Sequence, residues 1–310
     1  MTNPDASAPS SPSLRALTAR FEAARPRLGA LAYRMLGSFE DAQDAVQEAW
    51  LRLSGSSGEI VNPDAWLTTV VARICLNMLR ERRTHGGEEL SVRLPDPIVE
   101  ADEEFDPEHR AMLADAVGLA LFVVLDTLPP AERLAFVLHD VFSVPFDQIA
   151  TIVDRTPESA RKLASRARRR IERADPVPDG DLAAQREVVD AFFAAGRSGD
   201  FERLVSVLHP EVVLRGDFGP AAAAFRADGA ASVARLARSY AGPDREVRAA
   251  TVNGAAGAVI FVAGAVIFVA GHAASVMGFV VRGGRIREID VLADPARIAK
   301  LGLRAPGADH

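Results

Sequence analysis

A run of basic side chains on one predicted helix is the clearest chemical signal in the sequence. Residues 155–173, RTPESARKLASRARRRIER, contain eight Arg or Lys and two Glu, a local net charge of +6. Guanidinium and ammonium groups at helical spacing suit phosphate oxygens and the base edges of DNA. The whole 310-residue chain has a formal net charge of −6, which argues against a uniformly basic nucleic-acid binder. The run is therefore either a local DNA-binding surface or a solvated basic face.

The residues before the basic run favour DNA binding. A short helix over 146–153, a three-residue turn and the basic helix together predict a helix-turn-helix. Asp154 in the turn tolerates left-handed backbone geometry, Thr156 is the expected cap of the second helix, and Pro157 suits its first turn. The side chains expected to face base edges, at the N-terminal end of the second helix, are Glu158, Ser159, Arg161 and Lys162, and those expected to contact phosphates further along are Arg166, Arg168 and Arg169.

A carboxylate stripe is predicted on a helix near the N-terminus. In FEDAQDAVQEAWLRL, residues 39–53, Asp41, Asp44 and Glu48 occur at i, i+3 and i+7, opposite an apolar stripe. Such a face suits a basic protein partner and repels DNA. An ordinary exposed helix face fits the same spacing, so periodicity alone leaves both interpretations open.

A third helix, expected to end near residue 83, carries a polar side of a different kind. Arg73, Asn77 and Arg80 occur there at helical spacing. A basic helix end with an amide group can hold phosphates and an unstacked base. This pattern indicates single-stranded nucleic acid as a ligand.

These three motifs, in this order and with a linker between them, resemble a bacterial sigma factor of the extracytoplasmic-function family. LGSFEDAQDAVQEAWLRL is similar to the family's polymerase-binding helix, NPDAWLTTVVARICLNMLRERR to its helix for the melted −10 strand, and LPPAERLAFVLHDVFSVPFDQIATIVDRTPESARKLASRARRRI to its −35-binding domain. The resemblance implies two partners, core RNA polymerase (the clamp helices of the largest subunit and the flap of the second subunit) and promoter DNA. The residues it implies are Asp41, Asp44, Gln47 and Glu48 for the clamp helices, Arg73, Asn77 and Arg80 for the −10 region, and Ser159, Arg161, Lys162 and Arg166 for the −35 element.

The chain continues beyond the second DNA-binding domain. Helical patterns over 182–208 and 228–241 precede an alternating β pattern from residue 245 onward, which predicts an α+β domain. This region resembles the SnoaL-like, NTF2-like extension of one subgroup of the family, a cone of helices and a curved antiparallel sheet. LADPARIAKL resembles the subgroup's closing motif, with Asp294 as the expected helix cap and Pro295 beside it.

The expected fold class is a multidomain chain of two all-α helical sigma domains, the second with a helix-turn-helix, followed by an α+β NTF2-like cone domain. Residues 84–108 are acidic and Pro-containing, without clear periodicity, and predict a mobile linker; within them, residues 88–108 hold nine Asp or Glu and one Arg, net −8. The expected divisions are a disordered tail (1–13), sigma region 2 (14–84), the acidic linker (85–108), sigma region 4 (109–174), a short linker (175–181), the NTF2-like regulatory domain (182–302) and a tail (303–310).

The predicted function is that of an alternative sigma factor in promoter-specific transcription initiation, with a fused domain that modulates its activity. The alternative is a helix-turn-helix regulator, independent of polymerase, with a ligand-binding or enzymatic SnoaL-like domain. Catalysis would need an acid–base pair in a pocket, and the candidate acids and bases are scattered along the sequence. We therefore expect no enzymatic activity, no metal and no cofactor. The candidate pocket or interdomain residues are His209, Asp228, Asp294 and Pro295.

A perfect tandem repeat, GAVIFVA at 257–263 and again at 264–270, lies in the β region. Seven is odd, so in one continuous strand equivalent residues of the two copies would face opposite sides. We expect one copy to keep the pairing of the sheet and the other to bulge, to extend the hairpin beyond the cone or to turn at Gly264. The exposed apolar strand predicts self-association through 257–270, as a dimer or as aggregates. A membrane span over 254–271 is the rival interpretation, but β-branched residues, glycines and flanking turn signals favour a sheet.

The cellular compartment follows from two further features. Cys75 is the only cysteine and lies in an apolar helical pattern, which predicts a buried thiol and a reducing compartment. The N-terminus lacks the basic start and apolar run of a secretion signal. We therefore expect a cytoplasmic protein without membrane contact.

Overall fold

The computed structural model describes residues 14–56, 60–85, 93–100, 119–174, 177–220, 225–242, 244–262 and 273–303. The chain divides into two compact units. The first unit comprises Met1–Thr84 and Pro130–Ser165, and the second comprises His85–Pro129 and Arg166–His310. The first unit is helical, whereas the second contains the sheet.

The helical elements are α1 (Leu14–Leu36), α2 (Phe39–Ser54), α3 (Pro63–His85), α4 (Leu119–Thr127), α5 (Pro130–Phe136), a π-helical turn (Val137–Val141), α6 (Phe146–Val153), α7 (Pro157–Ala174), α8 (Leu182–Ser198), α9 (Phe201–Val207), α10 (Ala230–Tyr240) and α11 (Pro295–Lys300). The strands are β1 (Val99–Glu100), β2 (Leu208–Asp217), β3 (Phe225–Asp228), β4 (Arg245–Val252), β5 (Ala255–Val262), β6 (Ala273–Arg282) and β7 (Arg285–Leu292).

Polar side chains fix the starts of the N-terminal helices. The Ser38 hydroxyl accepts a hydrogen bond from the Asp41 backbone N–H at 3.4 Å and begins α2. The Asn62 side chain accepts one from the Ala65 N–H at 3.1 Å and begins α3. Each cap satisfies a backbone donor that has no partner within its helix.

The core of the first unit forms where α1, α2 and α3 bury their apolar sides. Small residues of α2, including Ala42, Ala45 and Ala49, are fully buried, so neighbouring helices can approach closely. Cys75 of α3 is completely buried, which confirms the predicted buried thiol, and this burial raises the pKa of the thiol to about 12.

The strands of the second unit form one sheet in the order β1-β4-β5-β6-β7-β2-β3. All neighbours are antiparallel except β2 and β7, which run parallel with Leu214 opposite Ile289. Asn253-Gly254 joins β4 to β5 and Gly283-Gly284 joins β6 to β7, all four with positive φ. Two such residues in succession make the type I′ turn that matches the twist of paired strands.

The acidic segment before α4 differs from the mobile linker that we predicted. Residues 94–99, LPDPIV, are buried, and Val99 of β1 pairs with Val252 of β4. Val99 and Glu100 form an edge strand of the sheet, and the residues that lead into it are buried because their apolar side chains gain from leaving water. Residues 101–118 lie outside the described part of the chain.

The described part of the first GAVIFVA copy lies within β5. Gly257–Val262 pair with β4 on one side, and Gly257–Phe261 pair with β6 on the other. For these residues the membrane-span interpretation is therefore wrong. Ala263 and the second copy, 264–270, lie outside the described residues, so self-association through the repeat stays a prediction. Within the described residues no helix is long and apolar enough to span a bilayer.

Candidate nucleic-acid interface

The predicted helix-turn-helix is present as α6, a turn and α7. Asp154 ends α6 with a left-handed backbone, φ +55°, as its type predicts. The Thr156 hydroxyl accepts a hydrogen bond from the Ser159 backbone N–H at 3.2 Å and so begins α7. Fully buried alanines, Ala160 and Ala164, line the inner side of α7 and leave its basic side to solvent.

The predicted −35 residues lie on the solvent side of α7, three of them with exposed side chains. The exposed residues are Arg161, Lys162 and Arg166, whereas Ser159 is half-buried and accepts a hydrogen bond from the Thr156 hydroxyl at 3.0 Å. Lys162 pairs with Glu158 one turn earlier, at 2.7 Å, and this pairing lowers the pKa of the Glu158 carboxyl. Arg161 lies over the ring of Phe146, 5.6 Å from its centroid, which limits its rotamers.

The predicted −10 residues share the exposed side of α3. Arg73, Asn77 and Arg80 are all exposed, which agrees with their helical spacing. Arg73 also makes a contact that sequence reasoning missed, because its Nη2 donates to the backbone carbonyl of Thr151 in α6 at 2.8 Å. The side of α3 that carries the predicted −10 residues therefore contacts α6, the first helix of the helix-turn-helix, through Arg73.

A buried arginine strengthens the packing inside this unit. Arg133 of α5 is 2% exposed and donates through Nη2 to the backbone carbonyl of Arg34 in α1 at 3.2 Å. Arg34 in turn lies 5.3 Å from the centre of the Phe142 ring. Since Arg133 and Phe142 belong to the segment before α6, these contacts hold that segment against α1.

The predicted carboxylate stripe on α2 divides into two kinds of residue. Asp44, Gln47 and Glu48 are exposed, and the Glu48 carboxylate accepts from Arg52 at 2.8 Å. Asp41 is half-buried and forms an ion pair with Arg82 of α3, whose Nη1 also donates to the carbonyl of Leu36 at 3.0 Å. Asp41 therefore holds α2 against α3, whereas the other three residues face solvent.

In the second unit, a cluster of hydrogen bonds fixes the linker segment to the sheet. Arg297 of α11 donates to the Asp96 carboxylate at 2.6 Å, to Asp217 at 2.7 Å and to the Leu94 carbonyl at 2.5 Å. The Leu94 N–H donates to Asp217 Oδ2 at 2.9 Å, the same oxygen that accepts from Arg297. All three charged side chains are at most 14% exposed, so this arrangement is an ion cluster largely shielded from water.

A second anchor holds the same segment where β1 begins. The Ile98 N–H donates to the Asn253 side-chain oxygen at 3.0 Å, and the Asn253 N–H donates back to the Ile98 carbonyl at 2.8 Å. Because Asn253 also forms the β4–β5 turn, the linker is tied to a fixed corner of the sheet.

The candidate pocket or interdomain residues do not converge on a reactive site. His209 is half-buried, and its Nδ1 accepts a hydrogen bond from the Glu211 backbone N–H at 3.2 Å. Asp228 is exposed and pairs with Arg226, which lowers the pKa of the Asp228 carboxyl. Asp294 caps α11 through the Ala296 N–H at 2.9 Å, as predicted, and Pro295 follows it exposed. None of these four residues lines the cavity between α8, α10 and the sheet of the second unit. Among the described residues no group of three His, Cys, Asp or Glu side chains is arranged to hold a metal ion.

Comparisons with known proteins agree with this geometry. Residues 20–85 match the Sigma-70 region 2 family, and residues 119–171 match the Sigma-70, region 4 family. The chain is 38% identical over 297 residues to the ECF RNA polymerase sigma factor SigJ of Mycobacterium tuberculosis, covering 92% of this chain and 94% of that protein. It is 32% identical over 292 residues to the probable ECF RNA polymerase sigma factor SigI of the same species, covering 94% and 98%.

A solved structure extends the likeness to the whole architecture. The crystal structure of Mycobacterium tuberculosis SigJ superimposes with a TM-score of 0.69 at 34% identity, covering 93% of this chain and 99% of that one. The match includes the sheet-containing extension, which confirms the predicted fold class of helical sigma domains followed by an α+β NTF2-like domain. The chain therefore belongs to the extracytoplasmic-function family of RNA polymerase sigma factors, and it functions as an alternative sigma factor in promoter-specific transcription initiation.

Proposed function

We propose that the exposed side of α2 docks on the clamp helices of the largest subunit of core RNA polymerase, and that the helix-turn-helix domain meets the flap of the second subunit. The observation that carries this proposal is the pair of solvent-facing carboxylates Asp44 and Glu48, with the exposed amide of Gln47 beside them, in a chain that belongs to the sigma factor family. Carboxylates on a partner-facing helix steer association with a basic surface. The site of action is the cytoplasm.

Asp41 has a different role in this proposal. Its carboxylate is committed to Arg82 and thereby sets the angle between α2 and α3. Loss of Asp41 would disturb both helices at once, so its effect on polymerase binding is indirect. Asp44 and Glu48 are the better residues for testing direct contact.

The promoter contacts divide between two helices. In this proposal Arg161 and Lys162, near the N-terminal end of α7, enter the major groove at the −35 element, and Arg166 meets phosphates further along; their exposure supports these roles. Arg73, Asn77 and Arg80 on α3 meet the melted −10 strand. Stacking of Arg161 on Phe146 orients one guanidinium before DNA arrives.

The bond between Arg73 and Thr151 supports a closed state of the free sigma factor. A guanidinium that donates to a protein carbonyl has fewer donors for a phosphate. Binding two separate promoter elements requires α3 and α6 to part, so promoter engagement competes with this contact. Arg80 makes no such bond to α6 among the described residues and serves as a matched comparison.

The extension acts, in this proposal, through the segment that joins the two sigma modules. Val99 and Glu100 belong to its sheet, and the residues before them, 94–98, are held by Arg297, Asp217 and Asn253. Fixing this segment shortens the chain available between the modules and so limits their separation. The polymerase-independent regulator is disfavoured, because the likeness to SigJ spans nearly the entire chain.

The decisive experiment measures core-enzyme binding and run-off transcription for the double charge reversal Asp44→Arg and Glu48→Arg. We expect at least a tenfold loss of affinity for core enzyme, with a parallel loss of transcript. Glu22→Arg is the matched control, because Glu22 is also an exposed carboxylate paired with an arginine on its own helix. Unchanged core binding by a folded double variant would exclude this docking surface.

A further inference from the structure

We propose that the second unit binds a small apolar carboxylate in a cavity between α8, α10 and the sheet. The cavity has a volume of about 270 Å³, and residues of β2, β4, β5, β6 and β7 form its floor. It lies within one structural unit, so its walls are set by the fold of the extension itself. No part of the transcriptional role requires this site.

The walls of the cavity are apolar. Aromatic and aliphatic side chains from four elements face one another across it, among them Phe193, Leu214, Ile260 and Met277. Among the described lining residues, the side chains with polar atoms are Arg197, Arg245 and Ser275. An interior of this composition favours a hydrocarbon or aromatic body, because burial of apolar surface supplies the affinity.

The charged lining residues specify the other end of the ligand. Arg197 in the last turn of α8 and Arg245 at the start of β4 are both exposed, so their charged groups lie where the cavity meets solvent. Both are cationic, and the described lining contains no Asp or Glu. Two guanidinium groups at the mouth favour an anionic group over a cationic one, and a guanidinium fits a carboxylate through two parallel hydrogen bonds.

The volume limits the size of the ligand. The volume lies near the lower end of the range for small-molecule sites, which favours a ligand of about ten non-hydrogen atoms. Octanoate, with ten non-hydrogen atoms, combines that size with an apolar chain and one carboxylate. The described lining residues include no His, Asp or Glu for proton transfer, which favours a binding role for this site.

Gly196 provides a specific way to close the cavity. It lies buried on α8 in the cavity wall, and a Cβ built there would meet nothing within 4 Å. A leucine side chain at this position would therefore occupy the cavity. Leucine also favours the helix more than glycine does, so the substitution should not weaken α8.

Isothermal titration calorimetry of the full-length chain tests the proposal with three probes of equal chain length, namely sodium octanoate, 1-octanol and octylammonium chloride. We expect octanoate to bind at least fivefold more tightly than either of the others. Arg197→Gln combined with Arg245→Gln should reduce the preference for octanoate over octanol to within twofold and leave octanol binding unchanged. Gly196→Leu should weaken octanoate binding at least tenfold without lowering the melting temperature.

Three results would overturn the proposal. These are failure of octanoate to bind, binding of octanol or octylammonium as tight as that of octanoate, and octanoate binding by a folded Gly196→Leu variant equal to that of the unaltered chain. If Gly196→Leu does not fold, Ala237→Leu on α10 gives the same test from the opposite wall, since Ala237 is a half-buried lining residue. Core-enzyme binding by the same preparations reports separately on the sigma function.

Discussion

Replacing Arg297 by Met should release the linker segment from the extension. The substitution keeps an unbranched apolar stem but removes the charge that faces Asp96 and Asp217. The side chains of Asp96 and Asp217 are only 12% and 9% exposed, so each carboxylate would lose its cation in a site with little water. Breaking one partner of a buried ion pair costs about 3–5 kcal/mol, because the remaining charge is left uncompensated.

The magnitude follows from local opening of the segment. Since 1.4 kcal/mol corresponds to a factor of ten, a loss of about 3–5 kcal/mol increases the open population roughly a hundredfold to a few thousandfold. The backbone amides of Leu94 and Ile98 donate to the Asp217 and Asn253 side chains, so their hydrogen exchange reports this opening. We expect exchange at both amides to accelerate at least a hundredfold in Arg297→Met.

The control is Arg226→Met, which removes an arginine from an exposed ion pair with Asp228 in the same sheet. An exposed pair is screened by solvent, so the control should leave the Leu94 and Ile98 amides protected. The reasoning fails if the two amides exchange at the original rate in Arg297→Met. It also fails if the control accelerates them equally.

Three further predictions concern other parts of the chain. Because the pKa of the Cys75 thiol is raised on folding, the unfolded chain binds fewer protons than the folded chain between pH 9 and 12, and the free energy of unfolding falls as pH rises there. In Cys75→Ala, the loss of unfolding free energy between pH 8 and pH 10, measured by urea denaturation, should be smaller by about 1.4 kcal/mol. Lys162→Met should reduce the slope of log K against log salt for −35 duplex binding by about 0.9, the value for one lost phosphate contact, and an unchanged slope would mean that Lys162 contacts no phosphate. Arg73→Gln should raise the affinity of the free chain for duplex DNA about fivefold, because a hydrogen bond worth about 1 kcal/mol no longer holds α3 on α6, whereas Arg80→Gln should leave this affinity unchanged. Both variants should lower run-off transcription. Equal gel-shift affinities of the two variants would exclude the closed state.

Local chemistry made much of the helical architecture predictable. The left-handed Asp154, the Thr156 cap of α7 and the Asp294 cap of α11 each depend on a few neighbouring residues, and the structure contains all three. The Asn253-Gly254 and Gly283-Gly284 turns likewise follow from the backbone freedom of their residues. Signals of this kind need no knowledge of distant parts of the chain.

Features that depend on distant residues were not predictable from the sequence pattern. The helical pattern that we extended to residue 208 was followed by β2, which no strand prediction covered. Besides the nearby β3, β2 pairs in parallel with β7, which comes much later in the chain. Asp41 and Asp44 look equivalent at helical spacing, yet only Asp41 meets Arg82, 41 residues away. Likewise, Arg297 and Asp96 form their pair across 201 positions.

The shared use of the linker changes what a truncation of the extension can reveal. Leu94, Ile98 and Val99 are buried at 1%, 4% and 7% exposure, and their partners lie in the sheet of the extension. A chain cut after Asp181 would therefore lose a domain and also expose an apolar edge segment between its sigma modules. Altered transcription by that fragment would therefore have two sources that the assay does not separate, release of the linker and aggregation of the fragment through its exposed segment. Arg297→Met releases the same segment while the sheet edge stays available for re-docking, so a change in run-off transcription that this variant shares with the truncation would be due to linker release.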